Sequence, residues 1–144
     1  MAYASQTDLT NVGLPAVALG NLTVAQQTAA LQNASDRADA SLRARYGNTA
    51  VPLLAWDSTI TQAVAKIAAF DLMVMRGMKP GGPDWELFNM RFQDAIGYLN
   101  AIQRQQAHPL VTLANNSTAP QQPNLTTSSV VDLSTGATQT NRGW

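Results

Sequence analysis

Residues 57–75 decide the fold: Asp57-Ser58-Thr-Ile60-Thr-Gln-Ala63-Val64-Ala-Lys66-Ile67-Ala68-Ala-Phe70-Asp71-Leu72-Met73-Val74-Met75. Ile60, Ala63, Ile67, Phe70 and Val74 recur at helical steps of three and four, so they share one face. Val64, Ala68, Leu72 and Met75 make a second stripe beside the first. An apolar surface this broad belongs to a central helix, touched from several sides. Asp57 or Ser58 caps its start, and Gly77 with Lys79-Pro-Gly-Gly-Pro83 ends it.

The neighbours on both sides are helical. Upstream, Thr23 is a fitting N-cap for a helix running to about Tyr46, where Gly47 and Asn48 stop it. Leu31, Ala34, Ala38 and Leu42 line its buried face, and Ala29, Ala30 and Ala40 allow close helix approach. Asp39 and Arg43 stand four apart in the favourable acid-first order. Pro52 interrupts residues 49–56, an apolar connector in which Val51 should be extended. Downstream, Asp84 caps a helix from Trp85 to about Gln105, with Phe88, Phe92, Ala95, Ile96, Leu99 and Ile102 at helical spacing. Near the start, Thr7 caps a short turn through Asp8, Leu9 and Val12, and a loop reaches Asn21.

Beyond His108 the composition changes: only Asp132 and Arg142 are charged, and Thr, Ser, Asn, Gln and Pro dominate. The expected organisation is a helical domain, residues 1–108, and an extended C-terminal arm, residues 109–144. The fold class is mainly α: a small antiparallel bundle of three main helices plus a short N-terminal helix. The arm forms short strands at residues 110–113 and 130–133.

Composition narrows the function. Charged residues are 12% of the 144, about half the usual share, so a surface of Gln, Asn, Ser and Thr suits a subunit packed against others. Nine basic and nine acidic residues cancel, whereas nucleic-acid binders advertise a basic excess. The absence of cysteine excludes disulfides and thiol chemistry. No signal peptide and no apolar run of membrane length are expected, so the chain should be made in a cytoplasm and meet no membrane. The Asn-x-Ser/Thr triplets at Asn21, Asn115, Asn116 and Asn124 are then chance matches.

Catalytic constellations are thin. A Ser-His-Asp set would have to recruit His108, the one histidine, with Ser117 or Ser128. Asp84 and Glu86 open a helix, where negative charge favours its dipole. Asp36 and Asp39 lack further ligands at metal spacing and read as a solvated face beside arginines. Asp71 interrupts an apolar stretch, so it should pair with Arg37, Arg45 or Arg91 or face a partner subunit. The Lys79–Pro83 run lacks phosphate-loop spacing, and Met73, Met75 and Met78 read as adaptable core filling. No enzyme, metal or cofactor is expected.

Several stretches fall in an order that carries a resemblance: Tyr3-Ala4-Ser5-Gln6-Thr7-Asp8-Leu9; Ala34-Ser-Asp-Arg-Ala38-Asp39-Ala-Ser-Leu42-Arg-Ala-Arg45-Tyr46; Val51-Pro52-Leu53-Leu54; Ile67-Ala68-Ala69-Phe70-Asp71-Leu72; and Phe92-Gln-Asp-Ala95-Ile-Gly-Tyr-Leu99. Over residues 3–103 the chain resembles the Mu-like phage head-to-tail connector proteins, also described as head-completion or adaptor proteins. The resemblance implies a non-enzymatic virion protein of a tailed phage, located at the head–tail junction. It implies a closed homo-oligomeric ring of about twelve copies, docked on the portal protein and meeting a downstream neck or tail protein. DNA would pass through without sequence-specific binding. The alternatives are another neck or tail-completion protein and, from a different class, a small DNA-binding regulator.

Within that expectation Arg37, Arg43, Arg45 and Asp71 are candidates for channel-facing or intersubunit charges. The arm would order on a partner by adding strands to a sheet edge, with Val130, Val131, Leu133 and Trp144 as its apolar anchors.

Overall fold

The computed structural model describes residues 1–119. Among these the protein is mainly helical, with five α-helices: α1 (Gln6–Asn11), α2 (Ala16–Gly20), α3 (Val24–Tyr46), α4 (Ser58–Met75) and α5 (Pro83–Gln103). The sequence expectation placed α3 and α4 well, because each carries a strong cap. The Thr23 hydroxyl accepts from the Gln26 amide at 3.2 Å, and the Gln26 side chain accepts from the Thr23 amide at 2.9 Å. Asp57 Oδ1 accepts from the Thr59 and Ile60 amides at 3.1 and 3.2 Å.

Three local expectations need correction. α1 is capped by Ser5 rather than Thr7, because the Asp8 carboxylate reaches back to the Ser5 amide at 2.7 Å. The expected loop before Asn21 contains α2: Pro15, extended at φ −61° and ψ 141°, precedes this helix instead of blocking it. α5 starts at Pro83 behind Gly82 rather than behind Asp84, since proline at a first helical position loses no hydrogen bond.

Three side-chain contacts fix the helix directions. Tyr98, late in α5, meets Thr59 at the start of α4, hydroxyl to hydroxyl at 2.7 Å, so these helices are antiparallel. The Gln103 amide donates to Ser41 Oγ at 3.1 Å, and the Arg45 Nη1 donates to the Ile102 carbonyl at 3.4 Å. α3 and α5 therefore run the same way, with α4 reversed between them.

α4 is the central helix that its two stripes require. Ile60, Val64, Ile67, Ala68 and Leu72 are buried, packed by α1, α3 and α5. Its last turn departs from the pattern: Val74 is 44% and Met75 55% exposed, while Met73 is buried. The helix also corrects a sequence expectation. Its 18 residues, at mean hydropathy 1.2, are long and apolar enough to cross a membrane, although half of that stretch is buried inside the bundle. Its polar interruptions conceal this when only an unbroken run is sought.

The segment set apart by composition begins by packing on the helices. Pro109, Val111, Leu113 and Ala119 are buried, because this stretch hydrogen-bonds the connector before α4. The Thr112 amide donates to the Ala55 carbonyl at 2.8 Å, and the Leu54 amide to the Thr112 carbonyl at 2.9 Å. Thr112 also bridges to Thr118, so residues 110–113 form isolated bridges rather than the expected strand. The second expected strand, residues 130–133, lies outside the described residues. Val51 is extended at φ −119° and ψ 153°, as its position before Pro52 requires.

Candidate functional site

The densest polar arrangement is built on Tyr3, to which the sequence reading assigns no role. Its ring is buried, with the Trp56 ring edge-on at a centroid distance of 4.9 Å. Its hydroxyl donates to Asp39 Oδ1 on α3 and accepts from the Leu53 amide of the connector at 3.0 Å. Its amide donates to Ser35 Oγ at 2.9 Å, and its carbonyl accepts from Trp56 Nε1 and Thr61 Oγ1 at 3.0 and 3.1 Å. One residue thus joins the N-terminal segment, α3, the connector and α4. Burial first, and then the bond to Asp39, pushes the Tyr3 phenol far above its ordinary pKa, against the opposing pull of the Leu53 amide.

Asp39 is therefore not part of a solvated face. It is 7% exposed and turned inward to Tyr3, whereas Asp36 stays outside and accepts from Gln32 at 2.9 Å. Among the described residues no group of three His, Cys, Asp or Glu side chains could hold a metal ion.

The four expected charges have different surroundings in the fold. Arg45 is not free for a channel or a partner. Its Nη1 donates to the carbonyls of Ile102 and Ala107, its Nη2 meets His108 Nδ1 at 2.8 Å, and its guanidinium lies 4.7 Å from the Tyr46 ring centre. The physical reason is the negative end of the α5 dipole and the turn after it: the Ile102 carbonyl, which also accepts the Gln105 amide, and the Ala107 carbonyl both point at the cation. Arg37 and Arg43 are exposed on α3. Asp71 is half-buried, and burial raises its carboxyl above the usual range, with Arg37 the nearby cation pulling the other way. Arg91 does not reach Asp71. It donates from Nη1 to the Val12 carbonyl at 2.5 Å and lies over Gly13, where an added Cβ would sit 2.6 Å from that nitrogen.

His108 and Ser117 have separate partners: His108 bonds Arg45, and Ser117 Oγ bonds Asn115 Oδ1 at 2.5 Å. Ser128 and the expected anchors Val130, Val131, Leu133 and Trp144 lie outside the described residues. A cleft of about 520 Å³ between α1, α4 and α5 is lined by Asp8, Asn11, Gln62, Lys66 and Arg91 among others. Among the described residues the buried Tyr46 hydroxyl has no hydrogen-bond partner.

The described residues thus assemble a structural knot at Tyr3 and a staple at Arg45, together with exposed charges on the outer faces of the helices. No protein-family model, no curated protein and no solved structure matches this chain.

Proposed function

We propose that the chain is a structural subunit of a tailed-phage head-to-tail connector, a ring that docks on the portal and extends the DNA channel toward the tail. The observation carrying this reading is the union of two of the stretches that give the resemblance. Tyr3 of the opening segment bonds Asp39 of the α3 pattern, Leu9 is fully buried, and Asp8 closes the turn on Ser5. Residues that stand far apart in the chain, and resemble the connector family separately, work here as one unit. Arg45 and Leu42 of the same pattern are likewise used, in the staple and the core. A scaffold tied together by side chains, with much of its charge left outward, suits a building block of an assembly.

The test is electron microscopy of particles carrying the protein with a label fused ahead of Met1, which is 69% exposed. A ring of label at the portal vertex is the expected result. Label along the tail or at its tip would move the protein to a neck or tail-completion role. Particles without label would overturn the virion reading and return attention to salt-dependent DNA binding.

A further inference from the structure

We propose that the outer face of α5 on one copy of the chain packs against the outer face of α3 on the next, head to tail around the ring. The inference rests on the ring reading above and names the surfaces that build it. On α5, Leu87 is 41% and Met90 56% exposed, and Glu86 and Asp94 flank them on the same outward side. The two side chains stand one turn apart and give this polar-rimmed face an apolar centre. On α3 the outward face carries Ala29, Ala40 and Ala44 with Arg37 and Arg43, beside polar Thr28 and Asn33. The acid on this face, Asp36, is taken up by Gln32. One face offers large apolar knobs and negative charge; the other offers room and positive charge. That complementarity lies between two different surfaces of one chain, so the contact is heterologous, the type that builds a ring when its rotation closes.

The register follows from the staple. Arg45 on α3 reaches the Ile102 carbonyl and Gln103 on α5 reaches Ser41, so residues of α5 stand beside residues of α3 that are 57 to 62 positions earlier, on helices that run the same way. Eight residues earlier on each helix stand Arg37 and Asp94, about 12 Å further along both axes. In a ring whose axis follows the bundle, residues at equal height on neighbouring copies meet. Asp94 of one copy then lies within about 8 Å of the height of Arg37 on the next, inside the reach of the arginine side chain. Among the described residues the Arg37 guanidinium has no hydrogen bond or ion pair, and it pulls the Asp71 carboxyl downward against burial. Five residues before Arg45 and Ile102 stand Ala40 and Gly97, small residues that let the two backbones come close at that level.

The chain has no cysteine, which makes the test clean. The full-length Ala40→Cys/Gly97→Cys variant is treated with a short bismaleimide. Both positions face outward, and a side chain at Gly97 meets no atom within 4 Å. A covalent ladder running past the dimer is expected, with each single variant yielding no ladder. In sedimentation, Arg37→Glu and Asp94→Arg should each weaken self-association about tenfold or more, and the double reversal should restore it. A double-cysteine variant that gives nothing beyond dimer, or a double reversal that does not restore association, overturns the assignment. Portal-vertex label without a ladder would sink these faces and leave the connector reading standing; a ladder without portal label would do the reverse.

Discussion

The Tyr3 hydroxyl donates to Asp39 across 36 residues of chain, and it also receives the Leu53 amide. The phenol is thus both the partner of a buried carboxylate and the acceptor for a connector N–H. Removing it strands two buried groups at once. Tyr3→Phe should cost about 2–4 kcal/mol, from a hydrogen bond to a charged group plus an unsatisfied amide. Denaturant unfolding measures this, and a loss under about 0.5 kcal/mol, the scale of an ordinary surface substitution, would mean that the Tyr3–Asp39 bond holds nothing.

Tyr46 gives the opposite sign. Its buried hydroxyl lacks a partner among the described residues, and burial, the largest influence, raises its pKa. Tyr46→Phe deletes an unsatisfied polar atom and keeps the ring under the Arg45 guanidinium. The expected result is unchanged or higher stability, by up to about 1 kcal/mol. A clear fall in the melting temperature would show that the hydroxyl has a partner after all.

Arg45 holds the end of α5 and the start of the following segment through the Ile102 and Ala107 carbonyls and His108. Arg45→Lys keeps the charge but not the planar fork, so it should recover little of the loss caused by Arg45→Ala. Both variants should lose about 1.5–3 kcal/mol. Faster amide exchange at Ala107, His108 and Leu110 would locate the effect, and full rescue by lysine would reduce the staple to a simple charge.

Truncation separates packing from composition. Ending the chain after Ala119 removes none of the buried described residues, so a folded bundle with cooperative unfolding is expected. Ending it after Pro109 removes Val111 and Leu113, both buried, together with the Leu110 amide that donates to Asp57 Oδ2 at 2.9 Å. Burial of two such side chains is worth about 3–6 kcal/mol, enough to unfold a marginal domain. Equal stability of the two truncations, read by calorimetry, would contradict the observed packing.

Asp57 ties that segment to the cap of α4, and its pH response has a definite sign. Burial by itself would raise its carboxyl, but the Thr59 hydroxyl and the Leu110, Ile60 and Thr59 amides outweigh burial and hold it below the ordinary value. A depressed folded-state pKa contributes stability above the unfolded value, about 3.9, and loses it as pH falls through the folded one. Asp71 is shifted upward by burial, so its ionisation works against folding as pH rises past the unfolded value. Asp57→Asn should therefore lose stability at neutral pH and little at acidic pH, whereas Asp71→Asn should gain at neutral pH and not at acidic pH. Melting temperatures of both variants across that range test the pair, and curves of the same sign would refute it.

The sequence by itself determined the three long helices, because periodic apolar stripes and strong caps at Thr23 and Asp57 act over neighbouring residues. It also determined the central place of α4, since a helix apolar on so many sides must be surrounded. Weak local signals were misread: a serine cap closed by Asp8, a five-residue helix behind Pro15, and a proline opening α5. Only the tertiary structure decided which polar residues turn inward. Asp36 and Asp39 look alike on paper, yet one meets solvent and the other a buried phenol that arrives from the N-terminal segment, 36 residues away. Arg37, Arg43 and Arg45 look like one basic group, yet Arg45 is taken by the Ile102 carbonyl at the end of α5 and by Ala107 and His108 just beyond it. Residues 109–119 read as part of an arm, yet they pack, because the connector before α4 presents backbone groups that they can bond. Those outcomes depend on partners dozens of residues distant, and helical periodicity carries no information about them.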